Sequence, residues 1–138
     1  MARKLLIDIN VFFDVADERE PHRETSEKIL TAIERKKALG FACAASFPTL
    51  YYLLERDIGP GDAREYLSVL FEILTIVPVD RRVLERAMEL PCKDYEDAIQ
   101  MAAAESCRAD LIVTRDAQDY KKSPVKAITP AEYLATFG

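Results

Sequence analysis

The sequence predicts an α/β fold, with a central parallel sheet covered by helices on both faces. Three observations lead there. Short apolar runs of strand length alternate with segments of helical periodicity along the whole chain. The 138 residues, 49% hydrophobic and 31% charged, suit one soluble domain spanning 1–138 with its own core. No internal repeat, linker or low-complexity tract divides that length.

Residues 5–9 form an apolar run short enough for a buried strand, and 10–16 add one or two helical turns. The charged stretch 17–24, which contains Pro21, reads as a loop. Within 25–37, Ile29, Leu30, Ala32 and Ile33 fall at helical spacing. Gly40 punctuates the chain before a second strand over 41–45. Ser46 is a candidate N-cap, with Pro48 in the first turn, for a helix running to Arg56. Gly59-Pro60-Gly61 breaks that helix. Asp62 is a candidate cap for the next one, which carries Tyr66, Leu67, Leu70, Phe71 and Leu74. The β-branched, apolar residues of 75–79 predict a third strand, and Asp80 caps a helix reaching Leu90. After a loop at Pro91, Asp94 opens a helix to Cys107. Residues 111–114 are the fourth strand, 116–124 a polar loop and 125–128 a fifth strand. Thr129-Pro130 starts a final helix that ends near Phe137.

The rare residues exclude whole chemistries. His22, the one histidine, lies in a charged stretch, which argues against a Ser or Cys hydrolase that needs an internal His base. Cys43, Cys92 and Cys107 lie far apart with no C-x-x-C pair, so neither a His/Cys zinc site nor a closed disulfide framework is indicated. A reduced, cytoplasmic setting is expected. The apolar run after Met-Ala-Arg-Lys is too short for a signal peptide, and no run approaches the roughly 18 apolar residues of a membrane span. With 19 basic and 24 acidic residues, the formal charge is −5. That is the reverse of a polybasic nucleic-acid binder, but it is compatible with acids that hold metal ions.

Ligands of parallel α/β folds bind beyond the carboxyl ends of the strands, and acids are predicted there. Asp8 closes the run Leu5-Leu6-Ile7-Asp8-Ile9, where a carboxylate either hydrogen-bonds the following turn or is paired or metal-bound. Asp94-Tyr95-Glu96-Asp97 opens a helix. One acid there can cap and others suit the helix dipole, yet three acids in four residues exceed what capping needs. Asp116 follows the fourth strand and Asp119 comes three residues later; each also reads as an ordinary turn acid. Asp8, Asp97 and Asp116 are expected to converge on one edge of the sheet. They would repel there and raise one another's pKa values. A hard divalent cation such as Mg²⁺, which takes oxygen ligands and keeps several waters, removes that conflict. It also activates water and stabilises phosphoryl charge, a route to phosphodiester hydrolysis without histidine.

Taken together, Asp8-Ile9-Asn10, Asp94-Tyr95-Glu96-Asp97-Ala98 and Thr114-Arg115-Asp116-Ala117-Gln118-Asp119-Tyr120 resemble the PIN domain family, in order and over essentially the whole chain. The VapC-like toxins and their stand-alone relatives are the nearest group. The resemblance implies a three-layer α/β/α sandwich and a Mg²⁺- or Mn²⁺-dependent endoribonuclease that leaves a 5′-phosphate end. It implies Asp8, Asp97 and Asp116 as catalytic and metal-holding residues, supported by Asn10, Asp94, Glu96, Thr114 and Asp119. It also implies an RNA substrate, a homodimer and a small VapB-like antitoxin. Arg115, Lys121 and Lys122 are candidate RNA contacts or ordinary surface charge. Tyr51, Tyr52, Tyr95 and Tyr120 either stack unpaired bases or pack in the core.

One position departs from the family pattern. Tyr52 stands where a glutamate is expected in the helix after the second strand, and tyrosine is no substitute for a carboxylate ligand at neutral pH. Glu96, Asp94 and Glu55 are the alternative sources of that charge. Two other functions stay open: a non-catalytic PIN-like module that binds RNA or protein, and a receiver-like phosphoacceptor domain with Asp80 as the phosphorylated residue.

Overall fold

In the computed structural model, which describes residues 2–138, five strands pair in parallel. Met1, the first residue of the expected domain, lies outside the described residues. The strands are β1 (Arg3–Ile7), β2 (Ala38–Cys43), β3 (Leu74–Val77), β4 (Leu111–Val113) and β5 (Ala127–Ile128). Their spatial order is β3-β2-β1-β4-β5. Leu5 in β1 sits opposite Gly40 on one side and Leu111 on the other. Gly40 is needed for close packing, since a Cβ there would lie 2.7–2.8 Å from Leu74 and Ile33 side-chain atoms.

Seven helices cover the sheet: α1 (Ile9–Ala16), α2 (Arg23–Glu34), α3 (Ser46–Ile58), α4 (Pro60–Ile73), α5 (Arg81–Glu89), α6 (Tyr95–Ser106) and α7 (Pro130–Phe137). Alternation along β1 divides them into two layers. Leu5 and Ile7 pack with Phe12, Ile29, Leu50, Leu70 and Tyr133, which come from α1, α2, α3, α4 and α7. Leu6 faces the other way, toward Val83 and Ala87 of α5 and the alanine-rich face of α6. Helices on both faces of a parallel sheet make the expected three-layer α/β/α sandwich. Each fully buried Leu, Ile or Phe adds about 1.5–3 kcal/mol to its stability.

Several boundaries move from their expected places, each for a local reason. Asp8 takes extended geometry and its side chain accepts the Ile9 N–H at 2.7 Å, so β1 ends at Ile7 and a full helix follows. The loop expected over 17–24 gives way at Arg23, where α2 begins. That helix stops at Glu34, and Lys36 takes a positive φ of 61° before β2 begins at Ala38. Ser46 is the first helical residue rather than the cap of α3. Gly59, at φ 89°, ends α3 and starts α4 with Pro60 behind it, so Asp62 lies inside the first turn and caps nothing. The polar loop after β4 contains one 3₁₀ turn, Ala117–Tyr120. The caps expected at Asp80 and Asp94 are present, and Thr129 also caps α7, each accepting a backbone N–H in its helix's first turn.

The strand order also corrects a functional alternative. Receiver-like domains carry the doubly wound order 2-1-3-4-5, whereas this sheet runs 3-2-1-4-5. Asp80 spends its carboxylate on the Val83 N–H at 3.1 Å, as the cap of α5. The direction of winding reverses between β1 and β4, which places the crevice of the fold at the carboxyl ends of those two strands. No helix among the described residues is long and apolar enough to cross a membrane.

Candidate active site

Asp8, immediately after β1, is the anchor of this crevice. The Thr114 hydroxyl donates to Asp8 Oδ2 at 2.7 Å, and the Asn10 amide donates to the same oxygen at 3.3 Å. Asn10 Nδ2 also reaches Asp116 Oδ2 at 3.2 Å, so one amide bridges two carboxylates that follow different strands. The opposite end of that amide, Oδ1, accepts the Arg115 N–H at 3.4 Å, and Thr114 Oγ1 accepts the Asp116 N–H at 3.1 Å. The ends of β1 and β4 are thereby laced together by short side chains.

Asp97 enters from the first turn of α6. Its own N–H is held by Asp94 Oδ1 at 3.1 Å, and its side chain lines the crevice, where Oδ1 accepts the Tyr120 hydroxyl at 3.5 Å. A cavity of about 340 Å³ separates α6 from α3, with Asp8, Asp97, Glu96, Ser46, Thr49 and Gln100 in its lining. Asp116 is not in that lining and joins the group through Asn10. Asp119, exposed in the 3₁₀ turn, is close enough to act electrostatically on Asp97.

Electrostatics separate these acids from ordinary surface ones. Burial, with help from Asp94, Asp8 and Asp119, pushes Asp97 up to about 6, against a weak pull downward from the Tyr120 hydroxyl. Burial also raises Asp8, and Asp116 adds to the rise, while the bonds from Thr114 and Ile9 and the charge of Arg115 oppose it. Tyr120 is itself pushed well above its ordinary value by burial and by Asp8 and Asp97, so it stays a proton donor.

Among the described residues, no three His, Cys, Asp or Glu side chains close into a ready-made metal shell. The donors present still fit a hard cation. They are carboxylate oxygens with an excess of negative charge, and Mg²⁺ is commonly held by one or two carboxylates plus waters. Asp8, Asp97 and Asp116 would hold it, with Glu96 at the cavity rim and Asn10 fixing two of the three.

Arg115, a candidate RNA contact, turns inward: its Nε stands 3.1 Å from Asp14 Oδ2, and Asp14 is fully buried. Lys121 and Lys122 are exposed just beyond the 3₁₀ turn. Of the tyrosines, Tyr120 is buried and Tyr95 bonds the Leu84 carbonyl at 3.0 Å, whereas Tyr52 is 66% exposed. The helix that carries Tyr52 brings Ser46 and Thr49 to the cavity but no carboxylate, and Glu55, a turn further on, is exposed.

Sequence reading missed Asp14, Ser46 and Gln100. Gln100 donates to Ser46 Oγ at 2.5 Å across the cavity wall. The available signals were the i, i+4 spacing of Asn10 and Asp14, and a lone amide in the run Ala98-Ile99-Gln100-Met101-Ala102.

Fold and crevice together define a parallel α/β protein with an acidic pocket at the switch point of its sheet. The family model described as PIN domain matches residues 4–118. The chain belongs to the PIN domain family. It is 26% identical over 137 residues to ribonuclease VapC1 of Aquifex aeolicus, covering 96% of this chain and 94% of that protein. Among solved structures, VapBC2 from Rickettsia felis, bound to a promoter DNA fragment, superposes with a TM-score of 0.70 at 12% identity, over 91% of this chain and 97% of that one. A toxin–antitoxin complex from Klebsiella pneumoniae gives 0.68 at 20% identity, over 91% and 97%.

Proposed function

We propose that the chain is a Mg²⁺- or Mn²⁺-dependent endoribonuclease, one domain over 1–138, that acts as the toxin of a VapBC-type pair or as a stand-alone PIN nuclease. The observation that carries this reading is the acidic crevice, in which Asp8 shares the Asn10 amide with Asp116 and lines one cavity with Asp97. Burial and mutual repulsion raise Asp97 and Asp8 there, and no lysine or arginine forms an ion pair with any of the three among the described residues. The likeness to ribonuclease VapC1 supports RNA as the substrate. The toxin–antitoxin neighbours support a small VapB-like antitoxin as partner. A homodimer and a cytoplasmic setting belong to the same reading.

The residues of the chain divide the work. Asp8 and Asp116 are held in register by Asn10; Thr114 donates to the same oxygen of Asp8, whose other oxygen accepts the Ile9 N–H. Asp97, poised near neutrality, supplies a carboxylate across the cavity, with Asp94, Glu96 and Asp119 adding negative charge around it. When bound, the cation supplies an activated water and offsets charge on the phosphoryl oxygens. Lys121 and Lys122, exposed just after the 3₁₀ turn, are the candidate contacts for flanking phosphates of the substrate.

Cleavage of varied RNAs with Mg²⁺ or Mn²⁺ tests the proposal. Wild type should cut, and Asp8→Asn, Asp97→Asn or EDTA should each abolish cutting. Cleavage that survives EDTA would overturn the mechanism. No carboxylate of α3 lines the cavity, and Tyr52 is exposed at the position where one is expected, which favours a second reading, a non-catalytic RNA- or protein-binding module. RNA binding without metal-dependent cleavage would select it.

A further inference from the structure

Asp14 is fully buried in α1, one turn beyond Asn10. Arg115 is the one cation within ion-pair distance of it among the described residues, at 3.1 Å, and neither oxygen of Asp14 accepts a well-formed hydrogen bond from the protein. Arg115 itself lies between two residues of the crevice, Thr114 and Asp116, and its charge is felt by Asp8 as well as by Asp14. One guanidinium therefore acts on two carboxylates, Asp14 and Asp8, and is next in sequence to a third, Asp116. Arginine pairs strongly with carboxylates and suits the same oxygens that a hard cation needs. The pair with Asp14 prevails because it is sheltered from water, whereas a pair with exposed Asp116 is screened.

We propose that Asp14 is a positioning residue that holds the Arg115 guanidinium away from Asp8 and Asp116, keeping the crevice open to a divalent cation instead of an internal arginine. The inference rests on the metal-dependent reading above. It reassigns Arg115 from the substrate to the architecture of the site, and gives a reason for a buried acid on the helix that starts at Asp8. Removing the Asp14 charge leaves a partly buried cation without its partner, and the nearest remaining acids are those of the crevice.

The test is Mn²⁺ binding by calorimetry on wild type, Asp14→Asn and the double variant Asp14→Asn/Arg115→Gln, with circular dichroism to confirm folding. Asp14→Asn is expected to bind Mn²⁺ at least about tenfold more weakly. The double variant is expected to recover most of that loss, because the competing guanidinium is gone. A merely structural ion pair gives the opposite pattern, a double variant no better than the single one, and that result overturns the proposal. So does unchanged affinity in Asp14→Asn.

A second measurement needs no variant: exchange of the Arg115 Nε–H with water, followed by ¹⁵N NMR. Exchange at least about tenfold slower than at exposed Arg35 supports the assignment, and equal rates overturn it. If wild type binds no Mn²⁺, the metal-dependent reading fails, while Nε–H exchange still decides whether Asp14 holds Arg115.

Discussion

Helix α6 joins two acids that are treated in opposite ways. Glu105, in its last turn, takes a forked pair from Arg86 at 2.8 and 3.2 Å. Asp97, in its first turn, has no basic partner among the described residues; burial is the main cost to its charge, and Asp94, Asp8 and Asp119 add to it. An acid at a helix N-terminus gains from the dipole, yet three further carboxylates far exceed that gain. The contrast teaches that the fold has ways of neutralising its acids and does not use them at the crevice, which is the arrangement a cation-binding site requires.

The strongest way to break the comparison is to neutralise the crevice. Asp8→Asn or Asp97→Asn should lower metal-dependent RNA cleavage by a factor on the order of 100 or more, measured on a labelled RNA at pH 7.5. Asn10→Ala, which removes the bridge between Asp8 and Asp116, should weaken Mn²⁺ binding by about 10–100-fold. A loss smaller than threefold in that titration would mean that the amide bridge is incidental.

The pH dependence sharpens the same contrast. With Asp97 at about 6, a cation must displace a proton at mildly acidic pH. Metal affinity is therefore expected to fall by up to about tenfold per unit below pH 6 and to level off above pH 7. Asp97→Asn should remove that inflection from whatever affinity remains.

Stability without metal gives a smaller effect of opposite sign. Because Asp97 is raised from 3.8 to about 6, the folded chain holds its proton more tightly than the unfolded chain does. The stability it contributes is complete below the ordinary carboxylate value and is lost as pH rises through 6. Asp97→Asn should therefore stabilise the metal-free protein at pH 7, by about 1 kcal/mol after allowance for solvent screening. Arg86→Ala, at the other end of α6, should destabilise it slightly, and less so in high salt. Urea unfolding at pH 5 and 7 distinguishes the two ends of the helix.

Much of this arrangement was legible in the residues. Apolar runs located all five strands, because strands buried on both faces leave little room for polar residues. The acids of the crevice were legible because Asp8 and Asp116 directly follow such runs, while Asp97 exceeds what an N-terminus needs. Boundaries were less so. Asp8 was expected inside a strand that it in fact ends, since capping geometry depends on where the chain turns. Asp14 was invisible for a different reason: its neighbours Val11, Phe12 and Phe13 are buried, but periodicity alone does not say that the polar side of a short helix faces protein instead of water. Arg115 read as a surface cation because its partner lies 101 positions away in sequence. Long-range pairing of charges leaves no local pattern.

The most direct measurement is the thermal unfolding of wild type, Asp8→Asn and Asp97→Asn at pH 7, each with and without millimolar Mn²⁺. A ligand that binds only the folded state raises the midpoint, by an amount that grows with the logarithm of its concentration over its Kd. Wild type should gain several degrees with Mn²⁺, and both variants should gain little or nothing. No gain in wild type, or an equal gain in Asp97→Asn, would contradict the assignment of these carboxylates to a divalent cation.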